Sequence, residues 1–576
     1  MVSFSRVLVF VSLCTLWPAL ATQPLATQPC RSARVENPEG NYFIPGTLGA
    51  ITFREVAGLE LKLDAYIQPG STRRPGILVV HGGGWTSGSR IAFVGQLLET
   101  LTEAGFNWFS IDYRLAPGEK HPAATEDLAA ALEFVRCNAD FFKIDPDRLA
   151  IVAEDSGVQS AFLLASQKPE RVAAIVGLGG FYNLSTLPFF DEHGNFELVF
   201  GPVHSKDEQK SRLRAASPIR AVNKDHPPAL LIHGSLDTEV PIEQARAYCE
   251  AVKEEGSTCN LIEVQNRIHR PENWLPSQWA YKARLTDWLK EVLKPVPPVV
   301  PPDVGNGPLR KNLVYGSYDD SAGRAQDLLM DAYLPESDEP ATAIILAHGG
   351  GWEAGNKVTY LTPVLEPLAR AGFAWFSIDY RLTPEYRNWN QLEDLRRAVR
   401  YIRAHASDFN INPLRIGILG ESASGQMVTQ TAALPCPGNP ESDDPVERES
   451  CEVQAVVSFY GVYDFLPMVK DASPRSFAQR LFGRTSLDDE TRSILRQYSP
   501  YHQIHSGLPP ILLINGTNEF LWEQAEAFAE RLGGAGVEYD LIRLEGAPHG
   551  MENWEGHAEW QFYKQEMVDW LKKKLR

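Results

Sequence analysis

Ser422 stands in the stretch GESASG, Glu519 in NGTNEF and His549 in GAPHGM, so the chain offers a serine, an acid and a histidine in that order. A serine hydroxyl is a weak nucleophile by itself. It becomes competent when a histidine takes its proton and an acid orients the imidazole, and glutamate serves that purpose as aspartate does. Upstream lies HGGGW at 348–352. Consecutive glycines let backbone N–H groups approach a developing oxyanion with no side chain in the way. With the N–H of Ala423, the residue after the serine, they would form an oxyanion hole. The chemistry these parts suit is acyl transfer; a phosphate loop is disfavoured because no Lys-Ser or Lys-Thr pair follows the glycines.

The same parts occur twice. GILVVHGGGWTSGSR at 76–90 returns as IILAHGGGWEAGNK at 344–357, and AGFNWFSIDYRLAP at 104–117 as AGFAWFSIDYRLTP at 371–384. The register holds without a gap from His81 and His348 through Asp155 and Ser422, so the first copy carries Asp155 where the second carries the serine. Asp237 and His269 occupy the acid and histidine positions of this first copy. Three readings of it compete. In the first it is a non-catalytic copy in which Asp155 pairs with His269. A carboxylate attacking an ester would give an anhydride that reverts, so Asp155 cannot simply replace serine. In the second Asp155 is a nucleophile toward saturated carbon, as in the haloalkane dehalogenases and epoxide hydrolases. In the third the turn slips by one residue and Ser156 acts.

A nucleophile of this kind needs a strand, a tight turn and a helix to lift it above a sheet. RIGIL before Ser422 and GQMVTQTAA after it supply them, with Gly420 giving the turn room. Further short apolar runs (AIILAHGG, AVVSFYG, PILLING, EYDLIRLE) alternate with helical stretches such as 391–406, where Leu392, Leu395, Ala398, Val399 and Ile402 share one face. Alternation of buried strands and helices predicts a mostly parallel sheet flanked by helices in each copy. Between the copies, closely spaced prolines in LKPVPPVVPPDVGNGP exclude helix and favour an extended linker. The expected organisation is a first domain over 30–293, a linker over 294–308 and a second domain over 309–576.

HGGGW, DYRLTPE and the serine elbow, in this order and spacing, resemble the esterases of the α/β-hydrolase fold. That group spans hormone-sensitive-lipase-like carboxylesterases and bacterial acetyl or feruloyl esterases. The resemblance covers nearly all of the second copy, and the first copy over its length. It implies two tandem α/β-hydrolase domains, with Ser422 as nucleophile, Glu519 as acid, His549 as base, and Gly349, Gly350 and Ala423 as oxyanion donors. One departure is Ser424, which stands where the family usually has glycine. The implied activity is hydrolysis of carboxylic esters, with acetyl or cinnamoyl groups on carbohydrate as candidate substrates. Trp85, Trp352 and Trp554 near the motifs fit stacking on sugars, although core packing is the commoner fate of any one tryptophan. Amide or formamide hydrolysis by the same triad, and a binding protein built on two hydrolase folds, are the alternatives.

Composition limits the rest. The chain has 576 residues, enough for two cores of about 250 residues each. Its formal net charge of -18 argues against nucleic acid, which is bound through excess Lys and Arg. Arg6, the apolar run VLVFVSLCTLWPALA and the small residues Ala19 and Ala21 have the order of a secretory signal over 1–21. An exported protein without a membrane span is expected, extracellular or periplasmic. Loss of Cys14 with the signal leaves six cysteines, for which Cys249 with Cys259 and Cys436 with Cys451 are the nearest pairs, and Cys30 and Cys137 remain. No cysteine or histidine cluster suggests a metal, and no cofactor is expected. Asn183 in NLS and Asn515 in NGT match glycosylation acceptors, though Asn515 lies beside the expected acid turn.

Overall fold

The computed structural model describes residues 32–35, 42–190, 193–274, 279–297, 308–470 and 476–576. The expected signal and Cys30 lie outside them, as does most of the expected linker.

Each copy builds one sheet. The first contains β1 (Thr47–Val56), β2 (Leu59–Tyr66), β3 (Arg74–Val80), β4 (Asn107–Ile111), β5 (Ile144–Glu154), β6 (Ala174–Leu178), β7 (Ala229–Gly234) and β8 (Cys259–Val264), in the spatial order β1-β2-β4-β3-β5-β6-β7-β8. The second contains β9 (Leu309–Asp319), β10 (Ala325–Tyr333), β11 (Ala341–Ala347), β12 (Ala374–Ile378), β13 (Ile411–Glu421), β14 (Ala455–Phe459), β15 (Ile511–Gly516) and β16 (Tyr539–Leu544), and repeats that order. The two leading strands of each sheet pair antiparallel and the others run parallel. The reason is visible in the sequence: AWFSI, AVVSF and ILLING are buried from end to end, as parallel strands covered on both faces must be. The fold is therefore two α/β-hydrolase units in one chain.

The helices that matter below are α1 (Gly95–Glu103), α2 (Asp155–Gln167), α3 (Ala280–Val292), α4 (Thr362–Arg370), α5 (Asn388–Ala404), α6 (Ala423–Ala433) and α7 (Phe562–Lys574). α5 buries Leu392, Leu395, Ala398, Val399 and Ile402, the stripe its spacing predicts. One hydrophobic cluster runs through both copies. It joins Val94, Leu97 and Leu98 at α1 to Val358, Leu361 and Val364 at α4, with α3 and α7 behind them. The approach is close enough that a Cβ at Gly95 would stand 2.7 Å from the carbonyl of Val358. Disulfides join Cys249 to Cys259 and Cys436 to Cys451, and Cys137 is exposed.

Candidate active site

Register places the candidate residues together. Ala347 pairs with Gly420 and Gly420 with Ser458, so the HGGGW loop after β11 and the turn after β13 leave the same edge of the sheet. Gly516 pairs with Leu544, which brings the loops after β15 and β16 to that edge too. This is the carboxyl end of the parallel strands, where open α/β sheets hold their ligands.

Ser422 sits at the apex between β13 and α6 with φ 54° and ψ -114°. A non-glycine residue in this region is strained, and it persists because the elbow has no room to relax. A Cβ at Gly420 would stand 2.3 Å from the carbonyl of Ser424. Ser424 ties the elbow down: its hydroxyl donates to the carbonyl of Ala347 at 2.6 Å and accepts from the N–H of Glu421 at 2.9 Å. The departure from glycine thus supplies a staple between elbow and sheet.

The hydroxyl of Ser422 lies 3.0 Å from Nε2 of His549, and Nδ1 of His549 lies 3.0 Å from Oε2 of Glu519. The Glu519 side chain is wholly buried and the His549 side chain is 28% exposed. Glu519 is held at both oxygens, with Oε2 accepting from the N–H of Leu521 at 3.0 Å and Oε1 from Nδ2 of Asn515 at 2.9 Å. Asn515, read above as a glycosylation acceptor, is buried and spends its amide on the acid.

The oxyanion donors need a correction. The N–H of Gly349 donates to Oε1 of Glu421, the residue before the serine, and is not free for a ligand. In the first copy the loop N–H groups that meet the residue at the elbow apex are the next two. There Oδ2 of Asp155 accepts from the N–H groups of Gly83 at 2.8 Å and Gly84 at 2.9 Å, whose counterparts are Gly350 and Gly351. Glu421 is fully buried, which raises its carboxyl to about 7 against the opposing influences of His549 and the Gly349 N–H. His348 is also buried, stacked on Tyr380 and held neutral by burial, with its pKa lowered to about 4. It shapes the loop.

Asp155 in the first copy has φ 48° and the same elbow. Its Oδ1 meets Nε2 of His269 at 3.1 Å, and Nδ1 of His269 meets Oδ2 of Asp237 at 2.7 Å. Burial alone would lower the pKa of His269, but the two carboxylates overcome it and push it up to about 10. Asp155 is likewise driven well below the usual carboxylate range: His269 and the loop N–H groups outweigh its burial. The result is Asp155, His269 and Asp237 hydrogen-bonded in a row, with the N–H groups of Gly83 and Gly84 taken up by Asp155. The His269 side chain is only 3% exposed. The reading in which Ser156 acts is overturned, because its hydroxyl is buried and accepts from the N–H of Trp85 at 3.0 Å. Trp85, Trp352 and Trp554 are buried as well, so none offers a face to a sugar.

A family model for BD-FAE matches residues 63–252 and 330–532, one stretch in each copy and more than half of the chain together. The chain belongs to the BD-FAE family. Among curated relatives it is similar to "Probable carboxylic ester hydrolase LipM" of Mycobacterium tuberculosis, 32% identical over 241 residues, 39% of this chain and 54% of that protein. It is also similar to "Esterase LipC" of the same organism, 28% identical over 252 residues, 43% of this chain and 61% of that one. The chain thus spans about half the length of these relatives. Among solved structures, the acetyl ester-xyloside bifunctional hydrolase of Caldicellulosiruptor lactoaceticus is 24% identical with a TM-score of 0.42, covering 47% of this chain and 98% of that one.

Tyr460 and Glu421 were not singled out by sequence reasoning, and Asn515 was read only as a glycosylation acceptor. For Glu421 a signal existed in its position beside the serine. Tyr460 has φ 35° and a ring 4.6 Å from that of His549, a placement with no local signature.

Proposed function

We propose that the chain is a secreted serine carboxylic ester hydrolase with one working centre, in the second domain (309–576). The first domain (30–293) is a non-catalytic copy. The observation that carries this reading is the pair of 3.0 Å contacts linking Ser422, His549 and Glu519. In it, His549 Nε2 takes the proton as Ser422 Oγ attacks the ester carbonyl. The N–H groups of Gly350, Gly351 and Ala423 receive the oxyanion, each donor being worth roughly 10²- to 10³-fold in rate. His549 then protonates the leaving alcohol, and water releases the acid from the acyl-enzyme by the same steps in reverse.

For the first domain, Asp155 as a nucleophile is disfavoured because both its oxygens are engaged and its charge is neutralised by His269. For substrate, the proposal is a short acyl or cinnamoyl ester of a carbohydrate. With the tryptophans buried, support comes from Phe520, 71% exposed and with its ring 5.0 Å from that of His549, an aromatic face beside the reacting atoms. Two disulfides support export. Among the described residues no helix is long and apolar enough to cross a membrane.

The test is hydrolysis of p-nitrophenyl acetate by the mature chain, Ser422→Ala and Asp155→Ala. Ser422→Ala falls to background and Asp155→Ala keeps its rate at temperatures where it is folded. Activity in Ser422→Ala would sink the assignment. Hydrolysis confined to amide substrates, or none with any substrate, would favour the amidase or the binding protein.

A further inference from the structure

His549 lies on a loop with three glycines at positive φ around it, Gly546, Gly550 and Gly556, so its position depends on what holds the loop. Within its own domain the N–H of Met551 donates to the hydroxyl of Tyr460 at 2.8 Å, and Nδ2 of Asn553 donates to the carbonyl of His549 at 2.7 Å. Nε1 of Trp554 donates to the carbonyl of Pro548 at 2.7 Å, the N–H of Gly546 to the hydroxyl of Thr517 at 2.8 Å and the N–H of Asn518 to the carbonyl of Ala547 at 3.1 Å, and Lys564 pairs with Glu555. Further restraints come from the first domain. The N–H of Phe93 donates to Oε1 of Glu552 at 3.0 Å and the N–H of Gly88 to the carbonyl of Glu555 at 3.0 Å. Gly556 lies so near that a Cβ there would stand 2.3 Å from Cδ1 of Leu115.

The exchange is reciprocal. Tyr360, the counterpart of Phe93, donates its hydroxyl to Asn273 on the histidine loop of the first domain. Phe93 and Tyr360 both hold the left-handed region, with φ of 67° and 65°, at a cost of roughly 1 to 3 kcal/mol each. Each domain therefore braces the other's histidine loop through a strained segment after its HGGGW motif. In one direction the braced histidine, His269, is locked between two carboxylates. In the other it faces Ser422.

We infer that the first domain positions the catalytic histidine of the second, with Glu552 as the positioning residue that receives the brace. The inference rests on the reading of Ser422, His549 and Glu519 as an ester-hydrolysing triad. It assigns the nucleophile-less copy a task that needs its fold and not its chemistry. A reacting group displaced by about 1 Å can lose on the order of 10²-fold in rate, so a loosened loop is felt in turnover before it is felt in binding.

The experiment compares the full-length wild type, Glu552→Ala, Glu552→Gln and Leu115→Ala on p-nitrophenyl acetate, with melting temperatures. Burial, with Glu272 and Glu421 nearby, pushes the Glu552 carboxyl up to about 8, so near pH 7 glutamine is a close mimic that keeps the acceptor for Phe93. The expected result is a kcat reduced roughly tenfold or more in Glu552→Ala with KM within about twofold, recovery of most of kcat in Glu552→Gln, and a smaller kcat loss in Leu115→Ala. If Glu552→Ala does not fold, Leu115→Ala decides alone. Unchanged kcat in Leu115→Ala and in any folded Glu552→Ala, or equal loss in the Ala and Gln variants, overturns the inference. Wild type lacking Ser422-dependent hydrolysis overturns the triad reading instead.

Discussion

Asn515 shows how one side chain can carry a misleading local signal and a tertiary task. NGT reads as an acceptor for glycan, yet the amide is buried and donates to Glu519, the acid of the proposed triad. Glutamate is one methylene longer than aspartate and has one more torsion to fix, so a second hold on its carboxylate has a physical purpose. Asn515→Ala is expected to lower kcat roughly tenfold with KM little changed, by loosening Glu519. Asn515→Asp should do worse, since a second carboxylate beside Glu519 disfavours its charged form. Steady-state kinetics on a short acyl ester check both, and equal rates in all three proteins would remove Asn515 from the site. Occupancy of Asn515 by glycan, read by peptide mapping, would contradict its burial.

At the scale of the element, the HGGGW loop divides its glycines among different duties. Gly349 gives its N–H to Glu421 and so anchors the loop to the elbow. Gly350 has φ 93°, and a Cβ there would stand 2.3 Å from the carbonyl of Ala354. Gly351 has φ 63° with open space where a Cβ would go. Gly350→Ala is therefore expected to shift the loop and lose roughly 10²- to 10³-fold in kcat, the worth of a misplaced oxyanion donor. Gly351→Ala meets only the smaller strain of a left-handed alanine, about 1 kcal/mol, and should retain far more activity. Equal losses would place the donors elsewhere. The repeated sequence is what makes this division readable, because the carboxylate of Asp155 accepts from Gly83 and Gly84, the counterparts of Gly350 and Gly351, in the first copy.

At the scale of the whole molecule, the two copies share a core, and the charged stack in the first makes the stability of the whole depend on pH. Burial works against the charged form of His269, but Asp155 and Asp237 push it up to about 10 in the fold from 6.5, so its stabilisation is fully present below 6.5 and is lost as pH rises through about 10. Asp237 is lowered to about 2 from 3.8, burial being outweighed by its bonds to His233 and His269, so its stabilisation is present above 3.8 and lost as pH falls through 2. The stack of Asp155, His269 and Asp237 thus contributes in full between 3.8 and 6.5. Scanning calorimetry should find the melting temperature falling as the pH is raised from 6.5 toward 10, and Asp155→Asn should flatten that fall. The same slope in both proteins would mean that the stack does not form.

Much was legible in the sequence because it is written locally. Buried strands are continuous apolar runs, α5 carries its stripe at helical spacing, and serine, acid and histidine each follow a strand end in family order. The duplication was legible for the same reason, as was the aspartate at 155 in place of the second copy's serine. Only the tertiary structure decided that the Gly349 N–H goes to Glu421, that Asn515 serves Glu519, that three tryptophans turn inward, and that Phe93 of one copy holds Glu552 of the other. Each of these depends on contacts between residues far apart in the chain, where side-chain direction and a few tenths of an ångström of space determine the outcome. Spacing along a sequence carries no record of either.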